Sequence, residues 1–367
     1  MLQVAPLASN PSARSFLEIW INRYRLDALP PLKTCSAEDL ITAISRAGRQ
    51  RTAAKVAKKL RASSEFAAIQ TNDLFAYIPN VVNLEESQRI ARFVEKIYAK
   101  VIDLYQNQTI SPAWMALVNT VNQATNVLEL WEKAGALTLL SIEEMAREVE
   151  PLLLALQEQH LDCKDRRTIG FMSTQFHFST EVLLSSLAPI EQLLLKPYLR
   201  FIEEQVCFPW QRICTVSSQY PVSSPVLAAV KAMLQKSTDI ERSTYRTMQA
   251  RFPEHRSRRG SLNRAEVAAS SARDINMFQA YIALCVLEDS LSSVESELLP
   301  LCMMVFPSIQ VEWDLVDAGV TAIANTLPTV LAPSLAALIK PYAEGVQSLF
   351  ASARNHPLFV EISRQTV

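Results

Sequence analysis

Glycine is the residue this chain nearly does without. It has 6 among 367 residues, where average usage of roughly 7% would give about 25. They stand at 48, 135, 170, 260, 319 and 345, and the closest pair, Gly319 and Gly345, is 26 positions apart. A phosphate-cradling loop, a dinucleotide fingerprint and a nucleophile elbow all need glycines clustered at tight turns, so none of them is present. Histidine is also scarce, at 4 residues, and the 6 cysteines are scattered without the close Cys-x-x-Cys knuckles of a structural zinc site. No stretch alternates β-branched and polar residues between turn signals, which excludes a sheet of any size.

Cationic side chains are missing from one long segment. Between Arg273 and Lys340 there is no Lys or Arg, while Asp274, Glu288, Asp289, Glu295, Glu297, Glu312, Asp314 and Asp317 all fall there. The opposite bias appears in Arg46, Arg49, Arg51, Lys55, Lys58, Lys59 and Arg61, seven bases without an intervening acid. A second run, Arg242 to Arg264, carries seven arginines. The net charge of −1 therefore conceals a basic and an acidic region, suited to meeting within one molecule or between copies.

What is present in abundance is helix. Nearly half the residues are apolar (49%) and a fifth are charged (20%), the balance of a packed globular chain. Ser36-Ala-Glu-Asp39 and Ser141-Ile-Glu-Glu144 read as capping boxes and Asn83-Leu-Glu-Glu86 as a helix cap, each followed by helical apolar spacing. After Asn83 the apolar residues are Ile90, Phe93, Ile97, Val101 and Leu104. Ser111-Pro112 and Ser224-Pro225 place a capping hydroxyl before a first-turn proline. Pro189, Pro197 and Pro209 mark starts or kinks, residues 251–263 read as an exposed loop, and Arg264 to Leu299 as one long amphipathic helix. The uncharged run Ala318 to Ile339 contains Asn325, Pro328 and Pro333, which favours two buried helices over a membrane span.

The expected fold is all-α, a multi-helix bundle or helical array without significant sheet. Its expected parts are a basic three-helix segment over 1–70, a bundle over 71–250, an arginine-rich hinge at 251–263 and an acidic apolar part over 264–367. The first residues show no basic leader followed by an apolar stretch, so no secretory signal is expected. Cysteines in apolar context, such as Cys285, fit a reducing compartment and a cytoplasmic location.

Candidate chemistry is thin. His177 and Glu181 share a helix face, but no Glu-x-x-His partner motif exists to complete a di-iron bundle. His160 with Cys163, and Cys207 with Cys214, read as core residues rather than metal ligands. Glu203-Glu204 point apart on a helix and read as a solvated face. No catalytic, metal or cofactor site is expected. The basic helix 46–61 is an anion- or partner-binding stripe, with Arg46, Arg49, Arg51, Lys55, Lys58, Lys59 and Arg61 as its contacts. Tyr198, Phe201, Phe208, Trp210, Phe278 and Tyr281 are expected at an interface, and Ser261, in Arg256-Ser-Arg-Arg-Gly-Ser261, fits a basophilic kinase.

Residues Asp274 to Pro307, with Leu284-Cys-Val-Leu-Glu288 and Glu297-Leu-Leu-Pro-Leu-Cys302, resemble uncharacterised helical proteins of cyanobacteria, as does Pro197–Cys214. The resemblance implies an origin rather than an activity. The functional expectation is a non-catalytic regulator, adaptor or assembly factor that binds another protein or itself. One alternative is a nucleic-acid-binding regulator using helix 46–61, with peripheral membrane contact open to the same stripe. Another is a helical enzyme or a binder of a cofactor such as a tetrapyrrole around His177.

Overall fold

The computed structural model describes residues 10–22, 37–76, 78, 84–109, 145, 148–153, 155–156 and 168–353. Thirteen α-helices are drawn from these: α1 (Pro11–Asn22), α2 (Ala37–Ile44), α3 (Arg46–Leu74), α4 (Leu84–Asn107), α5 (Thr168–Ser185), α6 (Pro189–Cys207), α7 (Trp210–Ser217), α8 (Pro225–Gln235), α9 (Ser237–Arg251), α10 (Ala265–Glu288), α11 (Leu299–Ser308), α12 (Trp313–Val330) and α13 (Pro333–Ser352). The fold is all-α. The sheet among the described residues is a two-residue antiparallel hairpin, β1 (Arg256–Ser257) with β2 (Gly260–Ser261).

The helices begin and end for local reasons. Ser45 caps α3 by accepting from the Gly48 amide at 3.0 Å. Pro189, Pro225 and Pro333 each occupy the first turn of their helix, where a missing N–H costs nothing. Pro197 lies inside α6 without ending it. On α4, Ile90, Ile97 and Val101 of the expected stripe are buried, with Val94 beside them, while Phe93 and Leu104 are half-buried. The expected caps at Ser36, Asn83 and Ser141 and the helix after Ser111 lie outside the described residues, although Met145, Val149 and Leu156 are buried.

Two expectations about this backbone need correction. Residues 264–299 are not one helix: Asp289 takes a left-handed conformation (φ 50°, ψ 41°) and closes α10, and a π-turn (Val294–Leu298) leads into α11. Aspartate tolerates that conformation better than most residues, so the break carries no glycine signal. Residues 251–263 are not a plain exposed loop either. His255 and Leu262 are buried, and the amide of Arg258 donates to the Ile309 carbonyl at 2.9 Å.

Packing divides into two neighbourhoods with a shared core. In one, α3 lies along α4 and α5, and α5 along α6. In the other, α12 packs on α9 and α13, and α10 meets α7, α8, α9 and α13. The first helix joins the second neighbourhood: α1 packs on α7 and α8, and Asn10 and Ser12 donate to the carbonyls of Ser218 and Tyr220. Trp20 on α1 stacks on Phe201 (5.6 Å) and on Trp210 (6.3 Å), binding three helices together. Where α5 crosses α11 the approach is close: a Cβ on Gly170 would stand 2.2 Å from the Met304 methyl, so a larger residue there requires the Met304 and Leu301 side chains to shift. The run Ala318 to Ile339 is divided between α12 and α13, with α13 starting at Pro333, and no described helix is long and apolar enough to cross a membrane.

Candidate functional site

Between α5, α6, α9, the hairpin, α10, α11 and α12 lies a cavity of roughly 190 Å³. One water needs about 10–15 Å³ of such space, so the cavity has room for an organic molecule rather than a single solvent molecule. Its body is apolar, walled by Met248, Phe278, Val305, Leu315, Val320 and Ile323. Its ionisable groups include His177, Glu203, Arg259, Arg273 and Asp274.

These five groups come from four places: α5, α6, the hairpin and α10. His177, on α5, is largely buried, with 19% of its side chain exposed. Its Nδ1 meets Oε1 of Glu203 on α6, and its Nε2 stands 2.9 Å from Nη2 of Arg259 at the hairpin tip. A guanidinium carries donors only, so Nε2 must accept. The imidazole is therefore neutral, with its proton on Nδ1 and donated to Glu203. Arg273 Nη1 lies 3.5 Å from that Nδ1, which has no lone pair left to offer. The partners of Arg273 are Glu203 at 3.4 Å and Asp274 at 3.4 Å.

The electrostatics follow from burial and pairing. Burial alone would push the Glu203 carboxyl up, but His177, Arg273 and Arg200 together hold it below the usual carboxylate range. Burial raises Asp274 in spite of Arg273, His177 and Arg259 nearby. The thiols of Cys207 and Cys302 also line the cavity, and burial pushes both well above the ordinary thiol value. They are weak nucleophiles and poor metal ligands in that state. Among the described residues no group of three or more His, Cys, Asp or Glu is placed to hold a metal ion.

His255 also lines this cavity, and it is buried with neither ring nitrogen hydrogen-bonded. Its nearest charge is Glu312, at 3.8 Å from Nδ1. A buried imidazole without a partner is costly, and a polar group entering the cavity would relieve it.

Several sequence-stated positions lie elsewhere than expected. Tyr198, Phe201, Phe208, Trp210, Phe278 and Tyr281 are all buried in this chain's core, at 5% exposure or less, so their surface is spent internally. The Glu203-Glu204 pair is not a solvated face: both are buried, Glu204 against Arg200 at 3.0 Å. His177 turns to Glu203 and not to Glu181, which is exposed. His160 and Cys163 lie outside the described residues. Ser261 is half-buried in β2, its Cα opposite Arg256.

The basic stripe on α3 is only partly a free surface. Arg49 is buried and donates to the Tyr105 carbonyl at 3.3 Å. Lys55 binds Glu191 at 2.8 Å, and Arg61 pairs with Glu65 on its own helix. Arg46, Arg51, Lys58 and Lys59 are exposed, and further along the same helix Phe66 and Ile69 are 49% and 65% exposed. That mixture of dispersed bases and bare apolar side chains lacks the dense cationic groove of a nucleic-acid interface, so the nucleic-acid reading gains no support.

Fold and site together define a helical scaffold with a largely apolar cavity bordered by a β-hairpin. Residues 210–348, from α7 into α13, match the model of a family described as phycobilisome protein. The match covers less than half of the chain and includes Arg259, Arg273, Asp274 and His255, whereas His177 and Glu203 come from the part before it. It also encloses the segment 274–307 that resembles helical cyanobacterial proteins. No curated protein and no solved structure matches the chain.

Proposed function

We propose that this chain is a non-catalytic assembly protein that acts on phycobilisome-type proteins by binding them through its helical surfaces. The observation that carries the reading is the family match, which spans a continuous set of packed helices from α7 to α13. The exposed face of α3, outside the match, is the docking surface: Lys58, Lys59, Phe66 and Ile69 combine charge for encounter with apolar area for affinity. The test is sedimentation of the purified chain with isolated phycobilisomes on a density gradient. Co-sedimentation that is lost with Phe66→Asp and Ile69→Asp supports the reading; a chain that stays at the top of the gradient at every salt concentration rejects it.

A second reading has its own observation. The cavity, with Arg259 at its rim and the unpartnered His255 in its wall, suits one elongated apolar molecule with an anionic end. Native mass spectrometry of protein purified gently from its own host tests this: a bound organic mass lost with Arg259→Ala supports it, and an empty protein refutes it.

A further inference from the structure

A β-hairpin borders the cavity, and one of the contacts at its tip is to a histidine. The hairpin Arg256–Ser261 lies over the cavity, with Ser257 and Arg259 among its lining. Its base is anchored: His255 and Leu262 are buried, and Tyr245 and Gln249 donate to the Leu262 carbonyl. Its tip, Arg258-Arg259, is exposed and held by two bonds, the Arg258 amide to Ile309 and Arg259 Nη2 to His177 Nε2. Gly260 follows at φ +115°, a conformation other residues rarely adopt, and it lets the chain turn sharply there.

We propose that protonation of His177 unlatches this hairpin and opens the cavity. The argument is one of donors and acceptors. While Nε2 is bare it accepts from Arg259. Once it binds a proton it becomes a donor facing a donor, and an imidazolium faces a guanidinium. The bond is then lost and replaced by repulsion, while Nδ1–H keeps its carboxylate partner, Glu203. The proton acts on the tip of the hairpin and leaves the helices in place.

The groups facing His177 allow this direction. From α6 come Glu203, with Arg200 and Cys207 behind it. From α10 come Arg273 and Asp274, and from the hairpin Arg259. On its own helix Glu181 is exposed one turn away. The carboxylate of Glu203 favours the imidazolium, and the two arginines oppose it. Imidazole is the side chain that ordinarily changes charge between about pH 5 and 8, which sets the range of the test.

This inference rests on the cavity reading for its purpose, but its test does not need a ligand. Hydrogen exchange of residues 257–261 in the full chain, corrected for the intrinsic pH dependence of exchange, reports the hairpin alone. Protection of the Arg258 amide is expected to fall by about tenfold or more from pH 8 to pH 5.5, with the helical amides unchanged. His177→Gln, whose side-chain oxygen still accepts from Arg259, is expected to hold protection at both pH values. Arg259→Gln is expected to lower protection at pH 8. His255→Asn is expected to keep the wild-type pH response. Protection that does not change with pH in the wild type, or a response abolished by His255→Asn and retained in His177→Gln, overturns the proposal. An empty protein that nevertheless shows the pH-dependent hairpin would reject the cavity ligand and keep the latch.

Discussion

At the C-terminal end of α10, Arg212 lies between Glu288 (2.7 Å) and Glu297 (2.6 Å), and Tyr281 donates to the second oxygen of Glu297. In the first half of the same helix, Arg273 and Asp274 join Glu203 and His177, and there the last member, Arg259, bonds to a neutral imidazole and to no carboxylate among the described residues. The two clusters have similar burial and similar side chains. They differ in pairing and setting: around Arg212 one guanidinium bridges both carboxylates, whereas the cluster around His177 faces a cavity and keeps at its rim a cation bonded to no carboxylate among the described residues. A saturated cluster fixes helices, and an unsaturated one beside a cavity is available for a ligand and for a proton.

The sharpest way to break that comparison is to remove the central arginine of each cluster. Arg212→Ala strands two largely buried glutamates side by side and is expected to cost about 3 kcal/mol in urea unfolding. Arg273→Ala, with Arg200 and Arg259 still near Glu203 and Asp274, is expected to cost about half as much. Equal costs would mean that both clusters are purely structural.

The wall under His177 supplies the next test. Gly170→Val drives a side chain into Met304 and Leu301 where α5 meets α11, with an expected loss of about 2 kcal/mol. The hairpin latch should loosen with it, seen as faster exchange of the Arg258 amide. A change confined to global stability would separate the latch from this junction.

The pH profile distinguishes two carboxylates in the open cluster. Glu203 is depressed in the folded chain, so the stability it contributes is present at neutral pH and lost as pH falls through its folded value. Asp274 is raised, so its contribution has the opposite sign and fades as pH rises. Glu203→Gln is therefore expected to destabilise at pH 7 by about 1 kcal/mol and to flatten the acid limb, while Asp274→Asn changes neutral stability little. Thermal unfolding from pH 4 to 8 checks both, and reversed roles would invalidate the tautomer assigned to His177.

The smallest effect on stability is expected on α3. Lys58→Glu with Lys59→Glu reverses exposed charge and should shift unfolding by no more than about 0.5 kcal/mol. Loss of gradient co-sedimentation without loss of stability would tie the assembly role to that face.

Local sequence rules carried much of the fold. The first-turn prolines Pro189 and Pro225 and the stripe Ile90, Ile97 and Val101 are legible because such signals act within about four residues, whereas the Ser224 hydroxyl, expected to cap α8, makes no cap bond. The aromatic segments failed as a surface because density of large side chains looks the same whether it fills a core or faces a partner. Trp20, Phe201 and Trp210 show which: they stack on one another from three helices. The break at Asp289 was invisible for want of a glycine, and the hairpin was hidden in an arginine-rich stretch that composition alone describes as loop.

By itself the sequence determined a glycine-poor, proline-punctuated helical chain with segregated charge and no catalytic motif, since these follow from residue type and short-range geometry. Only the tertiary structure decided which charges are spent and which remain. Arg49 turned inward to Tyr105 and the exposed Lys55 paired with Glu191, while His177, Glu203, Arg259 and Arg273, spread over 96 positions, converged on one cavity. Such meetings depend on how whole helix faces exclude water together, and no window along the chain contains that information.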